Sequence, residues 1–328
     1  MAKILYAIQG TGNGHVARAR EIVPLLQKWG EVHVVLSGDQ SEVELPFEVH
    51  YRTCGLTFIY NRKGGISYWR TLLKNNLWQI GREIKNFPIQ QYDYVINDFE
   101  FITAWACRLR KKSCTALGHQ ASFHFTAAPR PARKSFLGEF ILKNYAPATR
   151  YIGFHFDYFA QGIYKPVIRL EIREAQPQNK GHYTVYLPAI GDEEVYKILR
   201  GVDNISWEVF SKFAERPYQK DNVYFKPIHN EHFLKSFTTC EGILTSAGFE
   251  TPAEALYLGK KLFVIPIKGQ YEQFCNAAAL KAINVPQVEK FTLKTLPHIR
   301  DWVQHQEPVQ VDYPNEIENI LEELVGGA

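Results

Sequence analysis

The order of short apolar runs and helical stretches is the feature that most restricts how this 328-residue chain can fold. In the first half, strand-like runs at residues 3–9, 32–36, 94–96 and 115–117 alternate with stretches of helical periodicity. Strands that alternate with helices form parallel sheets with helices on both faces. The sequence therefore predicts an α/β fold built on a doubly wound parallel sheet.

The same alternation starts again in the second half of the chain. Its apolar runs lie at residues 183–187, 207–210, 223–225, 242–244 and 262–267. Asn230 is expected to cap the helix that follows the third of these runs. Since the chain is about twice the size of a typical domain, we predict two Rossmann-like domains, 1–163 and 164–313, with a cleft between them.

Composition excludes several classes of protein. Net charge of +4 is too small to indicate a nucleic-acid partner, and the five widely spaced cysteines argue against a disulfide framework or a zinc cluster. We expect buried free thiols. The sequence has no run of 18 apolar residues and starts with a short strand rather than a signal sequence, so we expect a cytoplasmic protein.

Residues 245–277 carry many side chains that suit a sugar nucleotide. A small-residue loop follows the strand 242–244, and a helix is expected to begin near Glu250. Unpaired N–H groups at the start of a helix attract an anion such as a diphosphate. Inside this helix, Glu254 can accept hydrogen bonds from the vicinal hydroxyls of a ribose, and a polar turn after the next strand suits a sugar ring. The residues assigned to the ligand are Ser246, Ala247, Gly248, Glu254, Glu272, Gln273 and Asn276.

This segment resembles the donor-site signature of the GT-B glycosyltransferases. The similar branch contains the lipid-linked N-acetylglucosaminyltransferases of cell-wall synthesis and the UDP-glycosyltransferases. The places of the family pattern are filled by Gly248, Thr251, Glu254, Ala255, Gly259, Pro266, Glu272, Gln273, Asn276 and Ala277. The sequence departs from the pattern at Glu272, where many members have Asp or Gln, and at Lys260-Lys261, where an apolar-Pro pair is usual. These departures are expected to bear on which sugar is held.

The resemblance implies two Rossmann-like domains whose parallel sheets face a cleft. It implies a hexosyltransferase that needs no cofactor and moves a sugar from a nucleotide diphosphate, UDP in this branch, to an acceptor hydroxyl. The sequence contains no Asp-x-Asp triplet, and a helix N-terminus can stabilise the departing diphosphate in place of a metal ion. His229 and Ser246 stand where family members contact the base or the diphosphate. The last helix, within 314–328, is expected to cross back to the first domain.

The glycine-rich loop 10–15 follows the first strand. A dinucleotide fingerprint would need glycine where His15 stands. The loop instead resembles the Gly-x-Gly-His turn of the same glycosyltransferases, with Arg18 in the first turn of the following helix. In many of them this histidine is the general base, or helps to bind the acceptor or the phosphates. The loop residues assigned to the donor are Gly12, Asn13 and Gly14.

An acceptor hydroxyl needs a base of near-neutral pKa to take its proton, and His15 fits this role. The alternative is that His15 caps the helix or packs beneath the loop. Asp98, at the carboxyl end of a parallel strand, is the carboxylate expected beside His15, where it would fix the imidazole tautomer. The alternative for Asp98 is an N-cap of the helix that begins at Phe99 or Glu100.

The acceptor side is less defined. The segments 97–100 and 117–120 resemble one bacterial and archaeal subgroup of GT-B proteins, and His119 and Gln120 are expected to line the acceptor side. Residues 51–85 and 130–143 combine many Arg and Lys residues with aromatic side chains. Such a surface suits an anionic, lipid-linked acceptor or peripheral contact with the inner membrane face. Alternatively, the aromatic side chains pack into the core and the cations are solvated.

Two other functions fit the same fold. A non-hydrolysing sugar-nucleotide 2-epimerase would need additional acidic and histidine groups around C2 of the sugar, and the sequence has no convincing set. A non-catalytic sugar-nucleotide-binding protein would keep an intact donor site. The prediction with the most support is a glycosyltransferase that binds a nucleotide-sugar donor and no nucleic acid.

Overall fold

The computed structural model describes residues 1–10, 13–38, 45–56 and 75–326. The chain divides into two compact units. Unit 1 comprises Met1–Ala128, Arg133–Arg169 and Pro314–Ala328, and unit 2 comprises Pro129–Ala132 and Leu170–Tyr313. The domain limits predicted from the sequence, 1–163 and 164–313, stay a prediction.

In the described part of unit 1, seven strands form one parallel sheet. The strands are β1 (Ala2–Gln9), β2 (Gly30–Ser37), β3 (Tyr51–Thr53), β4 (Tyr94–Asp98), β5 (Thr115–Gly118), β6 (Arg150–Phe154) and β7 (Ile163–Tyr164). Their order across the sheet is β3-β2-β1-β4-β5-β6-β7. The order reverses between β1 and β4, and ligands of α/β sheets bind at the carboxyl ends of the strands at such a point.

In the described part of unit 2, six strands form a second sheet. The strands are β8 (His182–Tyr186), β9 (Ser206–Ser211), β10 (Tyr218–Lys220), β11 (Val223–Pro227), β12 (Gly242–Ser246) and β13 (Lys261–Ile265). Their order is β10-β11-β9-β8-β12-β13, and β10 is antiparallel to β11 at the sheet edge. The order of the parallel strands reverses between β8 and β12. Both sheets therefore have the doubly wound topology that the alternation predicted.

Helices connect the strands. They are α1 (Asn13–Leu26), α2 (Leu77–Asn86), α3 (Phe101–Arg110), α4 (Phe136–Asn144), α5 (Leu170–Arg173), α6 (Asp192–Leu199), α7 (Asn230–Thr239), α8 (Glu250–Tyr257), α9 (Tyr271–Ala282), α10 (Leu296–His305) and α11 (Ile317–Val325). Unit 1 includes α11. None of the described helices is long and apolar enough to cross a bilayer.

Each unit has its own apolar core. In unit 1, the central strands are buried on both faces, so that Leu5, Ala7 and Val95 pack with Ile102 and Ala106 of α3. In unit 2, aromatic rings fill the space between the sheet and α10. Trp302 lies 5.1 Å from Tyr183 and 5.5 Å from Phe263, measured between ring centroids. Ring pairs at these separations add to the stability gained from burial alone.

Several local predictions were wrong in detail. The periodicity of the first helix predicts an apolar face at Ile22, Leu25, Leu26 and Trp29, but the buried residues include Val23 in place of Leu25, which is only partly buried. The strands β3, β6, β7 and β10 were not predicted, because runs of two to five residues carry little periodicity. The cysteines form no disulfide bond, and all are buried except Cys54, which is partly exposed.

Candidate functional site

The turn after β4 is held by its own side chains. The Nδ2 atom of Asn97 donates to the carbonyl of Glu100 over 2.8 Å, and Oδ1 of Asn97 accepts from the Glu100 N–H at 2.8 Å. The Glu100 carboxylate then accepts from the N–H groups of Ile102 and Thr103, both at 2.7 Å. This clamp holds Phe99 in the left-handed region, with φ at 57°. Bulky residues rarely adopt that conformation outside functional or strained sites.

The N-cap of α3 is therefore Glu100, and the helix begins at Phe101. The capping alternative for Asp98 is wrong, because Asn97 and Glu100 together satisfy the start of the helix. Glu100 is fully buried, and burial raises the pKa of its carboxyl, while hydrogen bonds from Ser37 and Thr103 act in the opposite direction. Its oxygens are occupied by this capping network.

The carboxylate of Asp98 instead binds α1. Its Oδ1 atom lies 2.8 Å from Nδ1 of His15, and Arg18 donates from Nε to Oδ2 over 2.9 Å and from Nη2 to Oδ1 over 3.0 Å. Asp98 ends β4, where its register partner is Ile8 of β1, the strand that leads into α1. The predicted contact between Asp98 and His15 is thus present. The bidentate pair with Arg18 is an addition that the sequence did not indicate.

Gly118 makes room for this carboxylate. A Cβ atom at position 118 would lie 2.3 Å from Oδ1 of Asp98 and 3.5 Å from Nη2 of Arg18. The backbone of Gly118 is extended, with φ at 168°, so any residue could adopt its conformation. The requirement for glycine at the end of β5 is therefore one of space.

Asp98 is ionised at neutral pH. Burial raises the pKa of its carboxyl, but the charges of Arg18 and His15 and their hydrogen bonds outweigh burial and bring this pKa below its ordinary value of 3.8. A carboxylate can only accept hydrogen bonds, so in neutral His15 the proton lies on Nδ1 and the lone pair on Nε2. The His15 side chain is 12% exposed, and its ring is parallel to that of Phe99.

The start of α1 differs from the prediction. The helix begins at Asn13, so Asn13, Gly14 and His15 belong to its first turn rather than to a preceding loop. Gly12 lies outside the described residues. Gly10 is tied to the neighbouring strand, because its N–H donates to the carbonyl of Ser37 over 2.7 Å. These assignments to the donor stay predictions.

His119 and Gln120 lie on a short 3₁₀ helix, His119–His124, directly after β5, and both are buried. Nδ1 of His119 lies 2.9 Å from the carbonyl oxygen of Phe154, which points the ring into an aromatic cluster. Gln120 lines a small pocket together with Asp98 and Phe99. Of the two residues assigned to the acceptor side, only Gln120 lies beside the Asp98 turn.

In unit 2, the loop after β12 is shorter than predicted. The strand runs to Ser246, which is therefore a buried strand residue, and only Ala247, Gly248 and Phe249 connect it to α8. No side chain caps α8, and the first N–H groups of a helix have no partner within the helix. Thr251 lies in the first turn of α8.

The predicted polar turn after β13 is largely helical, since Glu272, Gln273 and Asn276 lie on α9. Nδ2 of Asn276 donates to the carbonyl of Ala247 over 3.1 Å and so ties α9 to the loop after β12. Oε1 of Gln273 accepts from the N–H of Ile267 at 2.9 Å, which closes the loop after β13. Two of the side chains assigned to the sugar therefore hold the loops of the site.

Glu254 lies one turn into α8, as predicted, and is 2% exposed. His229, and not Asn230, is the N-cap of α7, and it is exposed without a capping hydrogen bond. It follows β11, which is three strands from β12 in the sheet, or about 14 Å at the usual strand spacing. The structure thus groups the residues after β12 and β13, with His229 at a distance.

The lysine pair that departs from the family pattern has structural partners. The Lys260 ammonium is buried and donates to the carbonyls of Gln178 and Cys240 over 2.6 and 2.7 Å. Lys261 pairs with Glu241 at 2.7 Å. The expectation that this pair bears on the sugar is not supported, because these contacts involve none of the assigned donor residues.

Among the described residues, no group of three or more His, Cys, Asp or Glu side chains is arranged to hold a metal ion. Of the described side chains at the turn after β4, His15 and Asp98 are suited to acid–base chemistry. With a proton on Nδ1 and a lone pair on Nε2, His15 can accept a proton from a hydroxyl, and Asp98 can stabilise the resulting imidazolium.

Comparison with solved structures identifies the fold. MurG from Acinetobacter baumannii is 14% identical, with a TM-score of 0.59 and 99% of both chains covered. UGT89C1 from Arabidopsis thaliana, complexed with UDP, is 12% identical, with a TM-score of 0.57, 99% of this chain and 94% of that chain covered. The glycotransferase of kitacinnamycin is 10% identical, with a TM-score of 0.60 and 99% of both chains covered. The chain has the GT-B fold of these proteins.

No curated protein sequence matches the chain significantly. The model of glycosyl transferase family 1, in contrast, matches residues 2–303, nearly the whole chain. This match favours sugar transfer from a nucleotide sugar over the 2-epimerase alternative. The protein therefore belongs to glycosyl transferase family 1 and is a glycosyltransferase with the GT-B fold.

Proposed function

We propose that this glycosyltransferase takes its sugar from a UDP-linked donor and transfers it to an acceptor hydroxyl, with His15 as general base and without a metal ion. The observation that carries the proposal is the 2.8 Å contact between Nδ1 of His15 and the buried carboxylate of Asp98. A histidine held in this way offers Nε2 as the base, as in catalytic triads.

In the proposed reaction, the acceptor oxygen attacks the anomeric carbon while its proton passes to Nε2 of His15. The bond between the anomeric carbon and the phosphate oxygen breaks, and UDP leaves with the electron pair. Asp98 stays ionised and stabilises the imidazolium that forms. A positioned base of this kind contributes about 10²–10⁴-fold to a rate.

The proposed donor site lies in unit 2. The assignment of UDP is supported by the family resemblance and by the UDP complex of the UGT89C1 neighbour. Glu254 is assigned to the ribose, and the start of α8, at Gly248 and Thr251, to the diphosphate. A helix N-terminus carries a partial positive charge, which would stabilise the leaving diphosphate in place of a cation.

Thermal unfolding with a panel of nucleoside diphosphates tests the donor. A ligand at 100 times its dissociation constant stabilises a protein by about 2.7 kcal/mol, so UDP should raise the unfolding temperature more than ADP, GDP, CDP or dTDP at equal concentration. A larger effect of another nucleotide would contradict the assignment of uracil.

The rate of UDP release from UDP-sugars tests catalysis, with water as a slow acceptor until the true acceptor is found. Release should continue in EDTA. Loss of activity in EDTA and its recovery with manganese or magnesium would contradict the metal-free mechanism. A protein that binds UDP-sugars tightly but releases no UDP with any acceptor would be a binding protein instead.

We also propose that α4 docks on an anionic lipid surface, from which an anionic, lipid-linked acceptor would be taken. Phe136 and Phe140 are 88% and 56% exposed on one side of this helix, whereas Leu142 is buried. Arg133 and Lys134, just before the helix, are exposed. Aromatic side chains beside cations are typical of helices that bind anionic membranes. The other predicted piece, 51–85, lies partly outside the described residues, and Trp78 of α2 is 71% exposed.

Co-sedimentation with vesicles tests this surface. The protein should bind phosphatidylglycerol vesicles more than phosphatidylcholine vesicles, and less as salt is added. The double variant Phe136→Ser/Phe140→Ser should lose binding. The control Leu293→Ser, at a leucine that is 68% exposed in unit 2, should keep it. Equal binding to both lipids, or an unaffected double variant, would contradict the proposal.

A further inference from the structure

We propose that Arg18 is a positioning residue that opposes the effect of Asp98 on His15 and thereby favours the role of His15 as a base. This inference rests on the proposed role of His15. Its test measures the proton affinity of His15 directly and needs no turnover, so the two proposals can fail independently.

The geometry places opposite charges at the same edge of the imidazole. Nδ1 of His15 lies 2.8 Å from Oδ1 of Asp98 and 3.3 Å from Nη2 of Arg18. The side chains of Arg18 and Asp98 are 2% and 0% exposed, so solvent screens them little. A nearby carboxylate favours the imidazolium, and a nearby guanidinium disfavours it. With both present at similar distances, the two effects oppose each other.

Removing either charge would disturb this balance. Without Arg18, a buried and unneutralised Asp98 would stand beside His15 and hold it in the protonated form, which cannot accept a proton from a hydroxyl. A guanidinium stays charged at any pH at which proteins are folded, so its influence is constant. The two hydrogen bonds from Arg18 also fix the plane of the Asp98 carboxylate, which sets the direction of the bond to His15.

Among the residues that the structure describes, the neighbouring elements bring no further charged side chain to this edge of the ring. Phe99, after β4, presents an apolar ring, and Gly118, at the end of β5, has no side chain. The Glu100 carboxylate is bound by Ser37 and Thr103. His119 bonds the carbonyl of Phe154. In the described part of the chain, Asp98 and Arg18 are therefore the charged side chains with a polar atom within 3.3 Å of Nδ1 of His15.

The experiment is an NMR titration of the full chain labelled with ¹³C at histidine Cε1. The chain has 11 histidines, and His15→Gln identifies the resonance of His15. We expect Arg18→Met to raise the pKa of His15 by about one unit or more, which multiplies its protonated-to-neutral ratio at least tenfold. Asp98→Asn should lower it. The control Arg20→Met, on the same helix, should leave it unchanged.

An Arg18→Met protein in which the His15 pKa is unchanged or lowered would overturn the proposal. If this variant does not fold, the double variant Arg18→Met/Asp98→Asn, which removes both charges, replaces it. Its His15 pKa should then be at least one unit above that of Asp98→Asn alone, by the same estimate. Equal values in these two proteins would overturn the proposal as well, whatever the effect of His15→Ala on the rate.

Discussion

The two sheets place polar side chains at equivalent ends of their strands but use them differently. Next to the reversal between β1 and β4, the buried side chains of Asp98 and Arg18 and the partly buried side chain of His15 form a charged network. After β12 and β13, two amide side chains bind backbone groups, Asn276 the carbonyl of Ala247 and Gln273 the N–H of Ile267. Under the proposed function, His15 is fixed in advance by its contacts with Asp98 and Arg18, whereas the diphosphate is expected at the N-terminus of α8.

The largest expected effect is that of His15→Ala. If His15 is the base, this change should lower the chemical rate by about 10²–10⁴-fold and leave UDP affinity nearly intact, since a base acts in the transition state. Single-turnover release of UDP and calorimetry of UDP binding measure the two quantities. A near-normal rate would contradict the general-base role of His15. Weaker UDP binding at a normal rate would mean that His15 packs the start of α1.

The second-largest expected effect is the loss of stability in Asp98→Ala. Removing one partner of a buried pair leaves Arg18 uncompensated and should cost about 3–5 kcal/mol of unfolding free energy. Because folding lowers the pKa of Asp98, the stability it contributes is present above its ordinary pKa of 3.8 and is lost as the pH falls through the folded value. Urea titrations between pH 3 and 7 measure both effects. Asp93 is exposed and lies just before the other end of β4, so Asp93→Ala is the matched control. An equal loss of unfolding free energy in that variant would mean that the buried pair with Arg18 does not explain the effect of Asp98→Ala.

Glu254→Ala tests the proposed donor site in unit 2. Loss of a carboxylate that binds ribose hydroxyls should weaken UDP binding by roughly 1.5–3 kcal/mol, with the fold retained. Glu272→Ala, whose assigned partner is the sugar, should weaken binding of a UDP-sugar but not of UDP. Calorimetry with both ligands distinguishes these outcomes. Unchanged UDP affinity in a folded Glu254→Ala protein would remove the ribose assignment.

Asn276→Ala should have the smallest effect. It removes one neutral hydrogen bond to the Ala247 carbonyl and should cost about 1–2 kcal/mol of unfolding free energy. Denaturant unfolding under the conditions used for Asp98→Ala gives the comparison directly. Equal losses of unfolding free energy in Asp98→Ala and Asn276→Ala would contradict the inference that the site in unit 1 is held more strongly than the loops of unit 2.

Much of the fold followed from the sequence, because buried strands such as β1 and β13 contain continuous runs of apolar residues. The short edge strands β7 and β10 did not, since their pairing depends on neighbours distant in the chain. The N-cap alternative for Asp98 could not be settled from the sequence because two carboxylates, Asp98 and Glu100, stand two residues apart. The two hydrogen bonds between Asn97 and Glu100 place Glu100, and not Asp98, at the start of α3.

The candidate site was predictable to a different degree in each unit. Asp98 could be paired with His15 because both follow neighbouring strands of one parallel sheet. Arg18 was visible in the sequence, but its bidentate contact depends on the side of α1 that packs against β4. Asn276 and Gln273 carry suitable groups for a sugar, yet their bonds to Ala247 and Ile267 arise from tertiary contacts that periodicity does not encode.

The space under the Asp98 carboxylate couples three positions that are far apart in the chain. Because a methyl group at 118 would overlap that carboxylate, Gly118 can be replaced only where Asp98 is replaced too. Arg18 pairs with the same carboxylate, so substitutions at the three positions are expected to depend on one another. Their joint substitution pattern would trace this buried pair through divergent relatives in which loop sequences no longer align. A designer who transplants the pair to another α/β scaffold would also have to carry over the glycine on the adjoining strand.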